Sequence, residues 1–497
     1  MREKLPVAIQ SLLAGLALLF VALLAIVAIS RMGYPYELEW MEGGSLQNVQ
    51  RVANGESIYV EPSIEFIPFL YTPLYYYLAA PLLWLLGDGF TALRLLSLLA
   101  TLATLLLIHQ VVRREGGSHQ SGIIAAGFYA ATFELGGAWL DLGRVDSLMV
   151  ALLLAGCLLL RHASTTRQAI LAGVILALGF FTKQTVLVAV LPVLGWQLLL
   201  RRRLGVACLA TFAGLLVIST LLMNLASDGW YSYYTLELPR QHAIAKEYLL
   251  GFWWRDLLVP LTLLVLLAIT GLALLWREKD HKERYYRSGF FLALLGGLLS
   301  ASWFSRLHSG GYDNVLLPAY LGISLLSGLG IALADRDKCF WRWTMPAAAC
   351  LQLGLLAYLP VGHIPGEQDR LAGDRIVEQL REAEGEVLVP YHGYLAGMAG
   401  KRGSAHHMAM ADVERGSDKA RWEKLKAQYL KVIEDQHYSM ILMSVRNWFP
   451  NEMAGSYQQE VDLFPGDDAN SDFRPVAGKP PHRPRWIYRP TKATGQE

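Results

Sequence analysis

Apolar runs of bilayer-spanning length recur from Val7 to Leu359 and then cease. That feature decides what the chain can become, because a hydrocarbon core about 30 Å thick takes about 20 apolar residues in a helix. The first run, Val7 to Ser30, follows a basic Met-Arg-Glu-Lys start. It exceeds the roughly 7–15 residues of a signal-peptide core and reads as a retained anchor. Further runs cover about 90–112, 121–137, 147–160, 169–181, 186–200, 204–226, 257–276, 288–304, 315–334 and 344–359. The expected fold class is a polytopic α-helical membrane protein, with about eleven transmembrane helices plus interfacial helices and a small C-terminal α/β domain outside the membrane.

Composition agrees. The chain is 54% hydrophobic and 17% charged, with mean hydropathy +0.32, whereas a soluble domain carries about 25% charged residues. An ordinary soluble enzyme is excluded. Lys and Arg number 44 against 42 Asp and Glu, a net charge of +2, so no electrostatic footprint marks nucleic acid as a partner. Cys157, Cys208, Cys339 and Cys350 show neither a disulfide framework nor metal-ligand spacing and are expected to be core thiols.

Orientation depends on Tyr71 to Leu86, YTPLYYYLAAPLLWLL, which is apolar but opens with a proline and a tyrosine cluster. Lying as an interfacial helix, it leaves Arg113, Arg114, Arg161, Arg167, Arg201 to Arg203, Arg277, Lys279, Lys282, Arg284, Arg287, Arg336, Lys338 and Arg342 on the side of Arg2 and Lys4. The positive-inside rule makes that side cytoplasmic. The expected location is the cell (inner or plasma) membrane, multi-pass, with the amino terminus cytoplasmic and the C-terminal domain extracytoplasmic. The domains are then a transmembrane domain over 1–360, whose first external loop is 31–89, and an extracytoplasmic α/β domain over 361–497. In the latter, helix-like stretches (Gln368–Ala383, Ser417–Glu434) alternate with strand-like ones (Glu386–Pro390, Ser439–Val445), and PRWIYRP closes the chain as a last strand.

The strongest chemical signal is ELEWMEGG, Glu37 to Gly44, directly after the first run. Three carboxylates this close raise one another's pKa, which suits a group that must accept a proton near neutral pH. A solvated acidic loop is the bland alternative. Lys183, ending LALGFFTKQT, is either functional or snorkelling, and Asp146 can pair with it or with Arg144. Arg306, His308, Tyr312 and Asp313 surround the flexible Gly310–Gly311 turn. His406, His407 and Asp412 suggest a metal only weakly, since neighbouring histidines point apart on a strand; no metal motif passes.

These motifs also stand in an order. Glu42 follows the first span, a helix-like stretch closes at Gly55–Glu56, Pro73-Leu74-Tyr75-Tyr76 opens the surface helix, and Arg94 enters the next span. GRVDS (Gly143 to Ser147), LALGFFTKQT (Leu176 to Thr185) and HSGGYDNVLLPAY (His308 to Tyr320) follow. Over about 1–360 the chain thereby resembles the GT-C class of integral-membrane glycosyltransferases, and within it bacterial relatives of lipid A aminoarabinose transferases and protein O-mannosyltransferases. The family's acidic pair is often adjacent; here Met41 precedes Glu42, so the companion is Glu39.

The resemblance implies a glycosyltransferase that moves a sugar from a polyprenyl-phosphate carrier to a lipid or glycan acceptor on the external face, amid membrane lipids. Loop 31–89 becomes the catalytic loop, with Glu42 and Glu39 as catalytic residues and Glu42 as the general base. Lys183, Arg94 and Arg306 become donor phosphate contacts, because negative charge grows on the leaving phosphate. Glu37, Tyr75, Arg144, Asp146, His308, Tyr312 and Asp313 become substrate-binding candidates. No cofactor is specified, and a divalent cation is possible, since some relatives use one and others none. The alternative from a different class is a polytopic transporter or flippase of lipid-linked or cell-envelope precursors; such proteins tend to show repeated halves, and no repeat is evident here.

Overall fold

The computed structural model describes residues 4–87, 89–277, 280–336, 341–446, 449–465, 472–478 and 482–491. The apolar runs form helices throughout. Those used below are α1 (Lys4–Met32), α2 (Glu42–Ala53), α3 (Leu74–Leu86), α4 (Phe90–Arg114), α5 (His119–Ala131), α6 (Asp146–His162), α7 (Thr166–Thr182), α8 (Val186–Leu200) and α9 (Arg202–Ala226), with later helices given by their ranges. Among the described residues six helices are long and apolar enough to cross a membrane: Val7–Met32, Phe90–Arg114, Arg202–Ala226, Tyr248–Leu275, His281–Leu307 and Asp313–Asp335. A seventh is reached if the bent pair Trp341–Leu355 and Pro360–Glu382 is one span.

The expectation of eleven also counted α5, α6, α7 and α8, which have 13, 17, 17 and 15 residues. At about 1.5 Å rise per residue they reach roughly 20–26 Å, short of the ~30 Å core. Length and composition therefore carry the count to six or seven. The Tyr71–Leu86 segment contains α3, a 13-residue apolar helix with exposed Trp84 and Leu85.

Two compact units divide the chain. The first comprises Met1–Ser30, Leu95–Ser219 and Ile244–His363. Helix Leu317–Arg336 is buried within it, against α5, Val259–Leu275 and His281–Leu307. Small residues let these helices close up, as bilayer helices without a hydrophobic drive between them require. A Cβ at Gly271 would lie 2.5 Å from the Leu326 carbonyl oxygen. The outward faces carry Leu18, Leu19, Leu106, Val217 and Ile269, all exposed, as a lipid-facing surface does. Where α4, α6 and His281–Leu307 meet, Glu115 lies between two buried arginines, 2.7 Å from Arg287 Nε and 3.2 Å from Arg161 Nε, while Arg161 also reaches Glu283 at 2.7 Å. Cys157 and Cys208 are buried free thiols and Cys350 is a half-buried one; Cys339, Lys279 and Lys338 lie outside the described residues.

The second unit comprises Arg31–Arg94, Thr220–Ala243 and Ile364–Glu497. The C-terminal chain is thus grouped with the acidic loop. Its sheet has strands β1 (Val387–Leu388), β2 (Met440–Met443), β3 (Tyr457–Asp462) and β4 (Trp486–Pro490) in the order β1-β2-β4-β3. β1 and β2 run parallel, and the other neighbours are antiparallel. The central β2, MILM, is wholly buried, while edge strand β3, YQQEVD, is mostly exposed and bulged at Gln459/Val461, a charged and irregular edge that resists pairing with another chain. Helices Glu367–Glu382 and Lys419–Glu434 fall where the sequence puts them. His406 and His407 depart from the strand expectation: His406 caps helix His407–Arg415, its Nδ1 accepting from Met408 N–H at 3.1 Å.

Candidate functional site

In the second unit the chain turns sharply after Arg31, and Glu42 N–H donates to the Glu39 carbonyl at 2.8 Å to start α2. Glu42 occupies the first turn of that helix, where the amino-terminal end of the dipole favours a carboxylate. It is fully buried, and Arg94 holds it from both sides, Nε to Oε1 at 3.0 Å and Nη2 to Oε2 at 2.8 Å. Leu38 N–H adds a third bond to Oε2 at 2.9 Å. The remaining Arg94 protons go to the carbonyls of Tyr34 and Tyr36, both at 2.6 Å, and Arg31, at 3.1 Å. One guanidinium therefore fastens the whole loop entry to its own helix.

Glu39 is also buried, and its Oε1 accepts from Met41 N–H at 3.2 Å. Glu37 bonds to His392 Nδ1, and His392 Nε2 lies 2.8 Å from Ser444 Oγ. Burial, then the charges of Glu39 and Glu42, push the Glu37 carboxyl well above the usual carboxylate range. Burial, then His406 and His482, hold His392 well below the usual imidazole value. Both partners are thus favoured in their neutral forms, joined by a hydrogen bond. Tyr75, buried in α3, donates to the Leu93 carbonyl at 2.8 Å.

The first unit holds the other candidates. Lys183 follows the last residue of α7, and its Nζ is 2.6 Å from Asp146 Oδ1 at the start of α6. Asn314 Nδ2 reaches the same oxygen at 3.1 Å. Arg144, two residues earlier, lies over the Trp139 ring at 5.3 Å. Arg306 ends its helix between two carboxylates, Asp256 at 2.8 Å and Asp313 at 3.2 Å, and donates to the Gly311 carbonyl at 2.9 Å. Only glycine fits at 311, since a Cβ would stand 2.2 Å from the Ser305 carbonyl oxygen. His308 pairs with Ile244 in an isolated antiparallel bridge, and Tyr312 beside it is half-buried.

Three partners lie beyond what the sequence singles out. His392 had a faint signal in PYHGY, a histidine beside glycine at a strand end; Asn314 sits inside GYDNVLL; Asp256 follows the Trp253–Trp254 pair by two residues. Among the described residues no group of three or more His, Cys, Asp or Glu gathers to hold a metal ion, and no step is routed through one.

A multi-pass helical protein with a small mixed sheet, and a buried acidic loop after its first span, has the architecture of the GT-C membrane glycosyltransferases. Residues 69–305 match glycosyltransferase family 87. Across 261 residues the chain is 26% identical to the undecaprenyl phosphate-alpha-4-amino-4-deoxy-L-arabinose arabinosyl transferase of Edwardsiella ictaluri (strain 93-146), covering 49% of this chain and 46% of that relative. The chain thus spans about half the length of the curated relatives it matches. ArnT from Cupriavidus metallidurans, crystallised with undecaprenyl phosphate, shares the fold with a TM-score of 0.61 at 12% identity, over 97% of this chain and 99% of that one. The archaeal oligosaccharyltransferase AglB from Archaeoglobus fulgidus, in complex with an inhibitory peptide and a dolichol-phosphate, shares it with a TM-score of 0.52 at 11% identity, over 86% and 69%.

Proposed function

We propose that this protein is a membrane glycosyltransferase that transfers a sugar from a polyprenyl-phosphate carrier to an acceptor on the external face of the membrane. The observation that carries the reading is the buried acidic loop: three buried carboxylates directly after the first span, one of them held by Arg94, in a chain of GT-C fold. An acceptor hydroxyl attacking the anomeric carbon loses its proton to a carboxylate as the bond forms. Glu42 has both oxygens bonded by Arg94 and the Leu38 amide, which makes it an anchor of the loop. The proton then goes to Glu39, and Glu42 positions it, the Glu39 carbonyl being bonded to the Glu42 amide.

The test is transfer from an undecaprenyl-phosphate-linked sugar by the full chain in lipid vesicles. Glu39→Gln retains shape and removes proton acceptance, so kcat falls by 10²–10⁴-fold with donor binding intact. Glu42→Gln instead loosens the loop, and its loss is partly recovered by Glu42→Asp, which keeps the charge. Wild-type kcat in Glu39→Gln returns the base to Glu42.

A further inference from the structure

The second unit holds a half-open cavity of about 350 Å³ that the reaction described above does not use. It lies between the loop entry at Tyr34, α2 at Gln50, the start of α4 at Phe90 and Thr91, and the short helix Gly393–Met398, which contributes Tyr394 and Gly397. Its volume falls within the range on the order of 300–1,000 Å³ typical of small-molecule sites. Among the described residues lining it no side chain carries a charge. Aromatic rings from three directions, with an amide, a threonine hydroxyl and two phenols, make a surface of flat apolar faces and neutral hydrogen-bonding groups. A pyranose ring has the same two-sided chemistry: C–H faces that lie on aromatic rings, and hydroxyls that donate and accept along the edge. A phosphate or carboxylate would find no cation there.

The cavity also shares its walls with the acidic loop. Tyr34, one of the residues lining the cavity, gives its carbonyl to Arg94 Nη1 at 2.6 Å. Phe90, another wall, lies under the same guanidinium at 4.8 Å. Arg94 in turn holds Glu42. A ligand seated between Tyr34 and Phe90 therefore bears on the two groups that orient the arginine on which the loop depends.

We propose that this cavity is a binding subsite for an uncharged sugar unit of the acceptor, coupled through Arg94 to the catalytic loop. The identity of the ligand as acceptor rests on the glycosyltransferase reading; the binding of a neutral sugar does not. Gly397 offers a plug, because a Cβ there meets nothing within 4 Å and its backbone is not left-handed. Gly33, also on the wall and equally open, supplies a second variant if the first fails to fold.

The experiment is saturation-transfer NMR on the full chain in lipid nanodiscs, with methyl β-glucoside and glucuronate as probes, beside the transfer assay. Methyl β-glucoside is expected to show transfer from the wild type that Gly397→Trp and Gly33→Trp abolish, and glucuronate to show none. In the assay, both variants raise the acceptor KM at least tenfold and leave the donor KM unchanged. Equal signals from wild type and both variants, binding of glucuronate alone, or no binding of the glucoside overturns the subsite. Glucoside binding that the plugs abolish, in a protein with no transferase activity, retains the subsite and sinks the glycosyltransferase reading instead.

Discussion

Lys183 and Asp146 are both buried, and neither is stable in a low dielectric without the other. Lys183→Met leaves Asp146 with only the Asn314 amide, so unfolding free energy is expected to fall by about 3–5 kcal/mol. Adding Asp146→Asn removes the orphaned charge and restores most of that stability. If Lys183 also meets the donor phosphate, the double variant still binds donor poorly; thermal unfolding and donor KM, measured together, separate the two roles. Wild-type donor KM in the double variant makes Lys183 purely structural. At this scale the acidic loop was legible because its three glutamates lie within six positions of one another. Their partners were not. Arg94 is 52 residues from Glu42 and His392 is 355 from Glu37, and charge alone does not say which arginine serves a phosphate and which serves a carboxylate. Arg306 shows the same ambiguity, since its place among glycines suggested a donor contact while two aspartates hold it.

Helix His407–Arg415 carries two groups that titrate in opposite senses. Burial, then His406 and His482, take His407 down to about 3. Burial takes Asp412 up to about 7, against the pull of Arg415. Between about pH 3 and 6.5 the unfolded chain binds a proton at His407 that the folded chain refuses, so His407 makes stability rise with pH; between about pH 4 and 7 the folded chain keeps a proton on Asp412 that the unfolded chain releases, so Asp412 makes stability fall with pH. The two slopes oppose each other, and single variants expose them. His407→Gln is expected to raise Tm relative to wild type as pH drops from 7 to 5, and Asp412→Asn to lower it. Parallel Tm profiles for the two variants would contradict this assignment. A second element, the buried junction of Glu115 with Arg161 and Arg287, predicts a loss of about 3–5 kcal/mol for Glu115→Gln in denaturant unfolding. The long helices and the buried strand β2 were readable because apolar period and composition dictate them. Strand β3 was not: YQQEVD is polar and mostly exposed, and its conformation comes from pairing with β4.

At the scale of the molecule, six or seven helices among the described residues meet the length of a bilayer, and short apolar helices lie beside them. The eleven expected from sequence include the short ones, because hydropathy registers apolar surface and not helix length. Orientation rests on Arg113, Arg114, Arg161, Arg201 to Arg203 and Arg277 falling on the side of the amino terminus, which predicts that a reporter fused after Arg203 is cytoplasmic and one fused after Pro365 external. An external Arg203 fusion would put the acidic loop and the Arg161 junction on the wrong sides. The central claim is lipid-linked sugar transfer. It is tested most directly by mass spectrometry of lipid-linked sugars and envelope glycans from cells with this protein, cells without it, and the latter complemented by wild type or by Glu39→Gln. The account predicts that a polyprenyl-phosphate sugar accumulates and one glycan modification disappears without the protein, and that wild type but not Glu39→Gln reverses both. Identical lipid-linked sugars and glycans in all four strains would contradict it.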